Sequence, residues 1–188
     1  IDSSAEYISV SNSVMVSNTY GVHIIGGNSR ISNCNMSANT YGVYMTYGPN
    51  SSHGVVTGSN INHCTYNLYL DSVKVGHSFI GNLIYAGVNQ LYIEDSKNIE
   101  FLGGDLVGGG TATFINDTLV HFTDVNMRTP PTWAITGAAP TITRFGNVDN
   151  SISQFDPVNN KQSNITYLND SLKIGGNLYM FIAPTARG

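Results

Sequence analysis

The sequence predicts an all-β fold in which short parallel strands stack as a solenoid of about six coils, followed by a β-rich C-terminal segment. A six-residue pattern (apolar, any, turn residue, small, any, apolar) recurs along the chain, and short strand-like runs with period-two alternation follow it. The chain has no capped run with helical period. A repeat near 21 residues marks one structural unit stacked on the next.

The pattern is anchored on an apolar residue, and successive anchors are separated by 21, 25, 19, 26 and 21 residues. Its last position is always large and apolar, as an inward-facing residue must be. Its third position holds residue types that tolerate a left-handed corner. The six units are VSNSVM (10–15), ISNCNM (31–36), VTGSNI (56–61), VGHSFI (75–80), FLGGDL (101–106) and FTDVNM (122–127).

A second strand follows the first three units, and two copies of it are nearly identical: NTYGVHI (18–24) and NTYGVYM (39–45). Period-two alternation places His23, Tyr44 and Tyr69 on the outward face. The pattern resembles the right-handed parallel β-helix of the pectate-lyase type. Right-handedness is expected because parallel crossovers have that hand in nearly all cases. A leucine-rich repeat has a similar period, but its Leu-rich signature is missing.

The repeat fades after Met127, which predicts two regions: a parallel β-helix over 1–128 and a non-solenoid β-rich cap or trimerisation segment over 129–188. Two adjacent prolines and the only Trp mark the transition. A final coil has an unpaired edge that terminal structure should cover. Because the sequence starts without Met and reaches a strand almost at once, we interpret it as a piece of a longer polypeptide.

Composition excludes several function classes. Charged residues make up 11% of the chain, the net charge is −4, and no basic patch is present to bind nucleic acid. No apolar run is long enough for membrane insertion. Cys34 and Cys64 fall in different columns of the repeat, which argues against a disulfide, and no ligand spacing indicates a metal site. We expect no cofactor.

An Asn-, Ser-, Gly- and Tyr-rich β-helix of uneven coil length, with a Pro-marked transition to a β-rich end, is similar to bacteriophage tailspikes. The resemblance rests on this pattern and on no catalytic signature. It implies a homotrimer on the virion, at the phage tail, that binds a bacterial surface polysaccharide. Members of that family often cleave the capsule or O-antigen as well, by hydrolysis or β-elimination.

Glycosidases need two carboxyl groups, and lyases need a base and a group that neutralises a uronate. The densest set of such groups consists of Glu100 and His121 on neighbouring coils, Asp105 and Asp124 around the next corner, and Arg128 as an anion-binding group. We take the first four as catalytic candidates. A structural alternative places Lys74 beside Glu100 in an exposed ion pair, and Asp124 at its corner by backbone preference alone.

The candidate substrate-binding residues are His23, Tyr44, Tyr69 and Arg128. Aromatic rings on a rigid sheet stack on sugars, and the neighbouring Asn and Ser residues bond to hydroxyl groups. The same aromatic ladder is equally typical of an interface between subunits. Weaker acidic candidates are Glu94 and Asp95, which are adjacent, so one must lie in a turn if both are exposed. Asp71 and Asp117 fit the starts of loops.

Two alternatives stay open at this point. The chain is a non-catalytic glycan-binding or structural shaft segment of a phage tail protein, with any catalytic centre upstream of Ile1 or between subunits. Otherwise it is a secreted, monomeric enzyme like pectate lyase, although the recognisable coils hold no acidic calcium cluster.

Overall fold

The computed structural model describes residues 5–47, 53–127, 129 and 131–136, and the strand backbone of 151–156, 161–168, 171–174 and 177–180. Every regular element within these residues is a β-strand. The strands up to residue 136 are β1 (Ser9–Ser11), β2 (Val14–Val16), β3 (Tyr20–Ile24), β4 (Ser29–Ser32), β5 (Asn35–Ser37), β6 (Tyr41–Thr46), β7 (His53–Thr57), β8 (Asn60–Asn62), β9 (Tyr66–Asp71), β10 (Gly76–Ile80), β11 (Leu83–Tyr85), β12 (Asn89–Glu94), β13 (Lys97–Leu102), β14 (Asp105–Val107), β15 (Thr111–Ile115), β16 (Thr118–Thr123) and β17 (Thr132–Thr136).

These strands form three parallel sheets. Sheet A has the order β1-β4-β7-β10-β13-β16, sheet B the order β14-β11-β8-β5-β2, and sheet C the order β17-β15-β12-β9-β6-β3. Neighbouring strands in each sheet come from successive coils, so each coil turns through all three sheets before it stacks on the next. The predicted solenoid of about six coils is confirmed. Its handedness stays a prediction.

The strand register corrects the fourth unit of the predicted repeat. Phe79 pairs with Val56 on one side and with Phe101 on the other, so Phe79 is the fourth anchor. Val75 and Ile80, the predicted anchor and inward residue, are 53% and 39% exposed. The corrected anchor spacings are 21, 25, 23, 22 and 21 residues, which is a more even repeat than the sequence pattern indicated.

The corner between sheets A and B has a left-handed backbone in every coil, as predicted, although Gly81 and not the predicted His77 forms the fourth corner. Its residues are Asn12, Asn33, Gly58, Gly81, Gly103 and Asp124, with φ between 50° and 61°. The residue after each corner points into the bend, and these residues hydrogen-bond from one coil to the next. The Cys34 amide donates to Ser59 Oγ (3.1 Å), and the Ser59 amide donates to Asn82 Oδ1 (2.9 Å). These bonds satisfy backbone groups at corners that the sheets leave unpaired.

The core lies between the three sheets. Phe79, Phe101 and Phe122 stack along the inner face of sheet A, with ring centroids 5.0 and 4.5 Å apart. On sheet B the inward column is apolar, as the repeat predicted, and its members Met36 and Ile61 are completely buried. Contiguous columns of this kind bury apolar area along the whole solenoid, so each coil is stabilised by the coils on either side.

Both cysteines are free and buried, as their separate columns predicted. Cys34 lies in the bend between sheets A and B. Cys64 lies in the bend between sheets B and C, where its amide donates to Asn67 Oδ1 at 3.2 Å. Burial raises the pKa of the Cys64 thiol, so the group stays protonated at neutral pH.

Sheet C continues beyond residue 128, because β17 pairs in parallel with β15 and places Trp133 beside Ala112. The Trp133 ring stacks on Phe114 at 5.4 Å. Farther on, an antiparallel four-stranded sheet has the order β18-β19-β20-β21, with β18 (Ser151–Asp156), β19 (Lys161–Leu168), β20 (Ser171–Ile174) and β21 (Asn177–Met180). That 129–188 is a separate cap or trimerisation segment stays a prediction.

Candidate functional site

An aromatic column runs along the outward face of sheet C. His23 pairs in register with Tyr44, Tyr44 with Tyr69, and Tyr69 with Tyr92. The ring centroids of these successive pairs are 4.9, 5.0 and 4.7 Å apart. The alignment that the sequence predicted for His23, Tyr44 and Tyr69 is therefore present. Tyr92 extends the column by one coil. Its strand sequence, QLYI, has the same alternation as the earlier strands, and this alternation could have predicted the position of Tyr92.

A second aromatic column lies beside the first. Tyr20 stacks on Tyr41 at 5.4 Å, and Tyr41 stacks on Tyr66 at 5.2 Å. The two columns also contact each other, with Tyr41 and Tyr44 centroids 4.8 Å apart. We refer to the combined surface as the tyrosine face, which consists of Tyr20, His23, Tyr41, Tyr44, Tyr66, Tyr69 and Tyr92. The sequence analysis did not predict its second column.

Glycine and asparagine at one position of these strands make the two columns possible. Gly21 and Gly42 lie between the columns, where a Cβ on Gly21 would come within 2.5 Å of the Gly42 carbonyl oxygen. In the next coil Asn67 holds this position, completely buried, and its Nδ2 donates to Gln90 Oε1 at 2.7 Å. The inward position is therefore either empty or filled by a hydrogen-bonded amide.

Successive tyrosine rings within each column lie face to face along the solenoid axis, whereas His23 meets Tyr44 edge-on at an interplanar angle of 68°. Tyr69 has Tyr44 on one side and Tyr92 on the other, at interplanar angles of 23° and 6°. Both faces of such a ring are therefore covered by its neighbours. A ligand meets ring edges and phenol hydroxyls rather than open ring faces. This differs from the stacking on sugars that the sequence analysis expected, since open faces are confined to the ends of the columns.

Two carboxylates border the tyrosine face. Asp71 and Glu94 end neighbouring strands of sheet C and are register partners. Asp71 Oδ1 accepts a hydrogen bond from the Ser72 hydroxyl at 2.8 Å, and Glu94 Oε2 accepts one from the Tyr92 hydroxyl at 3.2 Å. Asp95, which follows Glu94, lies in a left-handed turn with φ 47°, as expected for one member of the adjacent pair. The sequence could not align the two carboxylates because coil lengths vary.

Burial and neighbouring charges shift the pKa values of several side chains of the tyrosine face. Burial, together with Tyr92, Tyr44, Asp71 and Glu94, raises the pKa of Tyr69 to about 12. Burial likewise raises the pKa of Tyr44 and of Tyr92, and it lowers the pKa of His23. The phenols of Tyr44, Tyr69 and Tyr92 are therefore neutral at neutral pH, and Asp71 and Glu94 lie at their edge. Such groups donate to and accept from neutral hydroxyl-rich ligands.

The predicted catalytic pair on sheet A is adjacent. Glu100 is the register partner of His121 on the next coil and of Ser78 on the previous one. The Ser78 hydroxyl donates to Glu100 Oε2 at 3.2 Å. The alternative ion pair between Lys74 and Glu100 is wrong, because it followed from the misplaced fourth unit. Lys74 Nζ instead donates to the Asp95 carbonyl oxygen.

The remaining catalytic candidates lie beyond the corner. Asp105 is in sheet B, where its Oδ1 accepts from Asn126 Nδ2 at 2.5 Å. Asp124 is exposed at the left-handed corner itself, with φ 54°. Arg128 lies outside the residues that the structure describes. Glu100 and Asp105 thus project from different sheets, with Gly103 and Gly104 between their strands, so the candidates are spread over two faces of the solenoid.

Within the described part of the chain, no group of three or more His, Cys, Asp or Glu side chains is arranged to hold a metal ion. The same residues include no long apolar helix that could cross a bilayer. No protein-family model, curated protein or solved structure matches this chain.

Proposed function

We propose that the chain is the glycan-recognising part of a bacteriophage tailspike-like protein, and that a bacterial surface polysaccharide binds along the tyrosine face. The observation that carries the proposal is the double column of aromatic side chains on one rigid parallel sheet, bordered by Asp71 and Glu94. The assignment to phage tails, with a trimer on the virion, is supported by the sequence resemblance and by the solenoid fold.

The shape and chemistry of the face suit an extended, neutral or weakly charged polymer. The columns span four coils, or about 15 Å at a strand spacing of about 4.8 Å. Phenol hydroxyls recur at each coil and donate to sugar oxygens, while Asp71 and Glu94 accept from sugar hydroxyls. Stacking holds the side chains in place before binding, so little rotamer entropy is lost when the ligand binds.

Replacement of Tyr44 and Tyr69 together by phenylalanine tests the binding proposal. Phenylalanine keeps the stacked rings and removes two hydroxyl groups, each worth about 1 kcal/mol in a hydrogen bond. We expect a loss of about 10- to 30-fold in affinity for the host capsule or O-antigen, measured by isothermal titration calorimetry. Tyr85→Phe is the matched control, because Tyr85 lies on sheet B.

Two outcomes count against polysaccharide binding. One is equal affinity of the double variant and the parent chain for the polysaccharide. The other is a trimer, seen by analytical ultracentrifugation, that dissociates in the double variant while polysaccharide binding is undetectable in both proteins. That second result would assign the tyrosine face to contacts between subunits, as the sequence alternative allows.

Cleavage of the bound glycan is a second candidate function, favoured by the pairing of Asp71 with Glu94. Register partners on parallel strands have Cα atoms about 4.8 Å apart, and retaining glycosidases hold their two carboxyl groups about 5 Å apart. In this mechanism Glu94 or Asp71 protonates the leaving oxygen while the other carboxylate attacks the sugar carbon. Glu100 with His121 is the competing site on sheet A, where His121 serves as the base of an elimination.

The two candidate cleavage sites predict that activity is lost in different variants. If Asp71 and Glu94 hydrolyse the glycan, Asp71→Asn and Glu94→Gln each reduce the release of reducing ends by at least about 100-fold, and Glu100→Gln leaves it unchanged. The opposite pattern, with an unsaturated product detected by its ultraviolet absorbance, would assign an elimination to Glu100 and His121. Binding without new ends in any digest would restrict the function to recognition.

A further inference from the structure

A cleft opens on sheet A, away from the tyrosine face. It crosses the first three coils and has a volume of about 420 Å³, within the range of small-ligand sites. Its walls carry one cation and several neutral polar groups. The lining residues that the argument uses are Tyr7, Ser9, Asn28, Ser29, Arg30 and Gly54.

Arg30 supplies the positive charge of the cleft. It lies on β4 with Ser9 and Val55 as register partners, and its side chain is exposed. No acidic side chain among the described residues forms an ion pair with it. A guanidinium in this setting has its donors available to an incoming carboxylate, which it binds through two parallel N–H···O bonds.

The base of the cleft is closely packed. A Cβ at Gly54 would lie 2.8 Å from Ser29 Oγ and 2.1 Å from the Ser29 carbonyl oxygen, so the two strands meet here without space for a ligand atom between them. The Ser29 side chain is buried on the same side of β4 as Ile31, whereas Arg30 lies on the opposite, exposed side. The groups open to a ligand are therefore those of Arg30, Ser9 and Asn28.

The remaining groups indicate what the anion is attached to. Ser9 and Asn28 offer neutral hydrogen bonds at the sides of the cleft, and Tyr7 places an exposed ring at its rim. One guanidinium suits a single negative charge, whereas phosphate groups are usually held by several cations or by clustered backbone amides. A ring that carries hydroxyl groups and one carboxylate matches this set.

We propose that this cleft binds a sugar acid, with Arg30 paired to the carboxylate and the ring hydroxyls bonded to Ser9 and Asn28. The site is separate from the tyrosine face, so either can fail without the other. It allows the solenoid to distinguish a uronate-containing glycan from a neutral one.

The test uses the full chain and monomeric probes in NMR titrations. Galacturonate is expected to bind at least about tenfold more tightly than galactose, because the two differ only in the carboxylate. Arg30→Gln should abolish this preference. Lys97→Gln, which removes an exposed cation elsewhere on sheet A, should leave it unchanged. The Tyr44 and Tyr69 phenylalanine variant should bind galacturonate like the parent chain, which separates this site from the proposed polysaccharide face.

Several outcomes would overturn the proposal. Equal affinity for galacturonate and galactose would remove the role of the carboxylate, and unchanged affinity in Arg30→Gln would remove the role of Arg30. Tighter binding of inorganic phosphate than of galacturonate would mean that the cleft is a general oxyanion site rather than a site for sugar acids.

Discussion

Replacement of Gly42 by alanine should lower the free energy of unfolding by about 3 kcal/mol, the upper part of the range for overpacked cores. An added Cβ would lie 2.5 Å from Ile61 Cγ2 and 2.6 Å from the Asn67 carbonyl oxygen. One of these neighbours is backbone of the adjacent strand, so relief requires a shift of β6 against β9. Urea denaturation followed by circular dichroism measures the change.

A shift of β6 would also reach the proposed binding surface, since Tyr41 and Tyr44 flank Gly42 on the same strand. We therefore expect the alanine variant to lose polysaccharide affinity as well as stability.

Gly103→Asn is the matched control. Nothing lies within 4 Å of a Cβ at Gly103, and Asn12 and Asn33 already adopt its left-handed conformation in other coils. The control should cost less than about 1 kcal/mol. Similar losses in both variants would contradict the close-approach explanation.

Much of the solenoid was predictable because its corners restrict the sequence. A corner with φ near +55° selects Asn, Gly or Asp, and the residue three positions on must be apolar. The anchor of the fourth coil was predicted wrongly, because both Val75 and Phe79 fit the apolar anchor position of the repeat. Side-chain patterns do not distinguish them when coil lengths vary. The structure does, since Phe79 continues the phenylalanine stack and Val75 is exposed.

The tyrosine face was half predictable for a different reason. Strict alternation starting from Tyr44 assigns Tyr41 to the inside, because three positions separate them. In the structure Gly42 and Val43 are both buried, so the strand breaks alternation and Tyr41 returns to the outside. Only a residue without a side chain, or an amide with buried partners such as Asn67, permits two consecutive inward positions. The pairing of Asp71 with Glu94 could not be predicted without the actual number of residues in each coil.

A second large effect is expected at Asp117, which the sequence analysis placed at the start of a loop. Its side chain is completely buried at the corner between sheets C and A. Oδ1 accepts a hydrogen bond from the Ser96 amide at 2.8 Å, and Oδ2 accepts one from the Ile115 amide at 3.1 Å. Burial raises the pKa of this carboxyl to about 7, with smaller contributions from Asp95 and Glu94, although the two amide bonds act in the opposite direction.

The direction of the pH effect follows from this shift. The folded state holds its proton up to about pH 7, whereas the unfolded chain loses it near the ordinary aspartate pKa of 3.8. The folded state therefore binds more protons between these values, and stability falls as pH rises through the folded pKa. For a pKa of about 7, Asp117 alone should lower the free energy of unfolding by about 2–3 kcal/mol between about pH 5 and about pH 8.

Asp117→Ser should remove this dependence, because serine has no ionisable proton in the range. Ser96 already fills the equivalent bend one coil earlier, where its hydroxyl accepts from the Val73 amide at 3.0 Å. The variant should be less stable than the parent chain at about pH 5, since the Ile115 amide loses its acceptor at a cost of about 1–3 kcal/mol. The difference should shrink toward about pH 8 as the parent carboxylate pays its desolvation cost.

Urea denaturation across this range measures both slopes, with Asp124→Asn at an exposed corner as the control that keeps the parent slope. An unchanged slope in Asp117→Ser would show that the buried carboxyl does not titrate there.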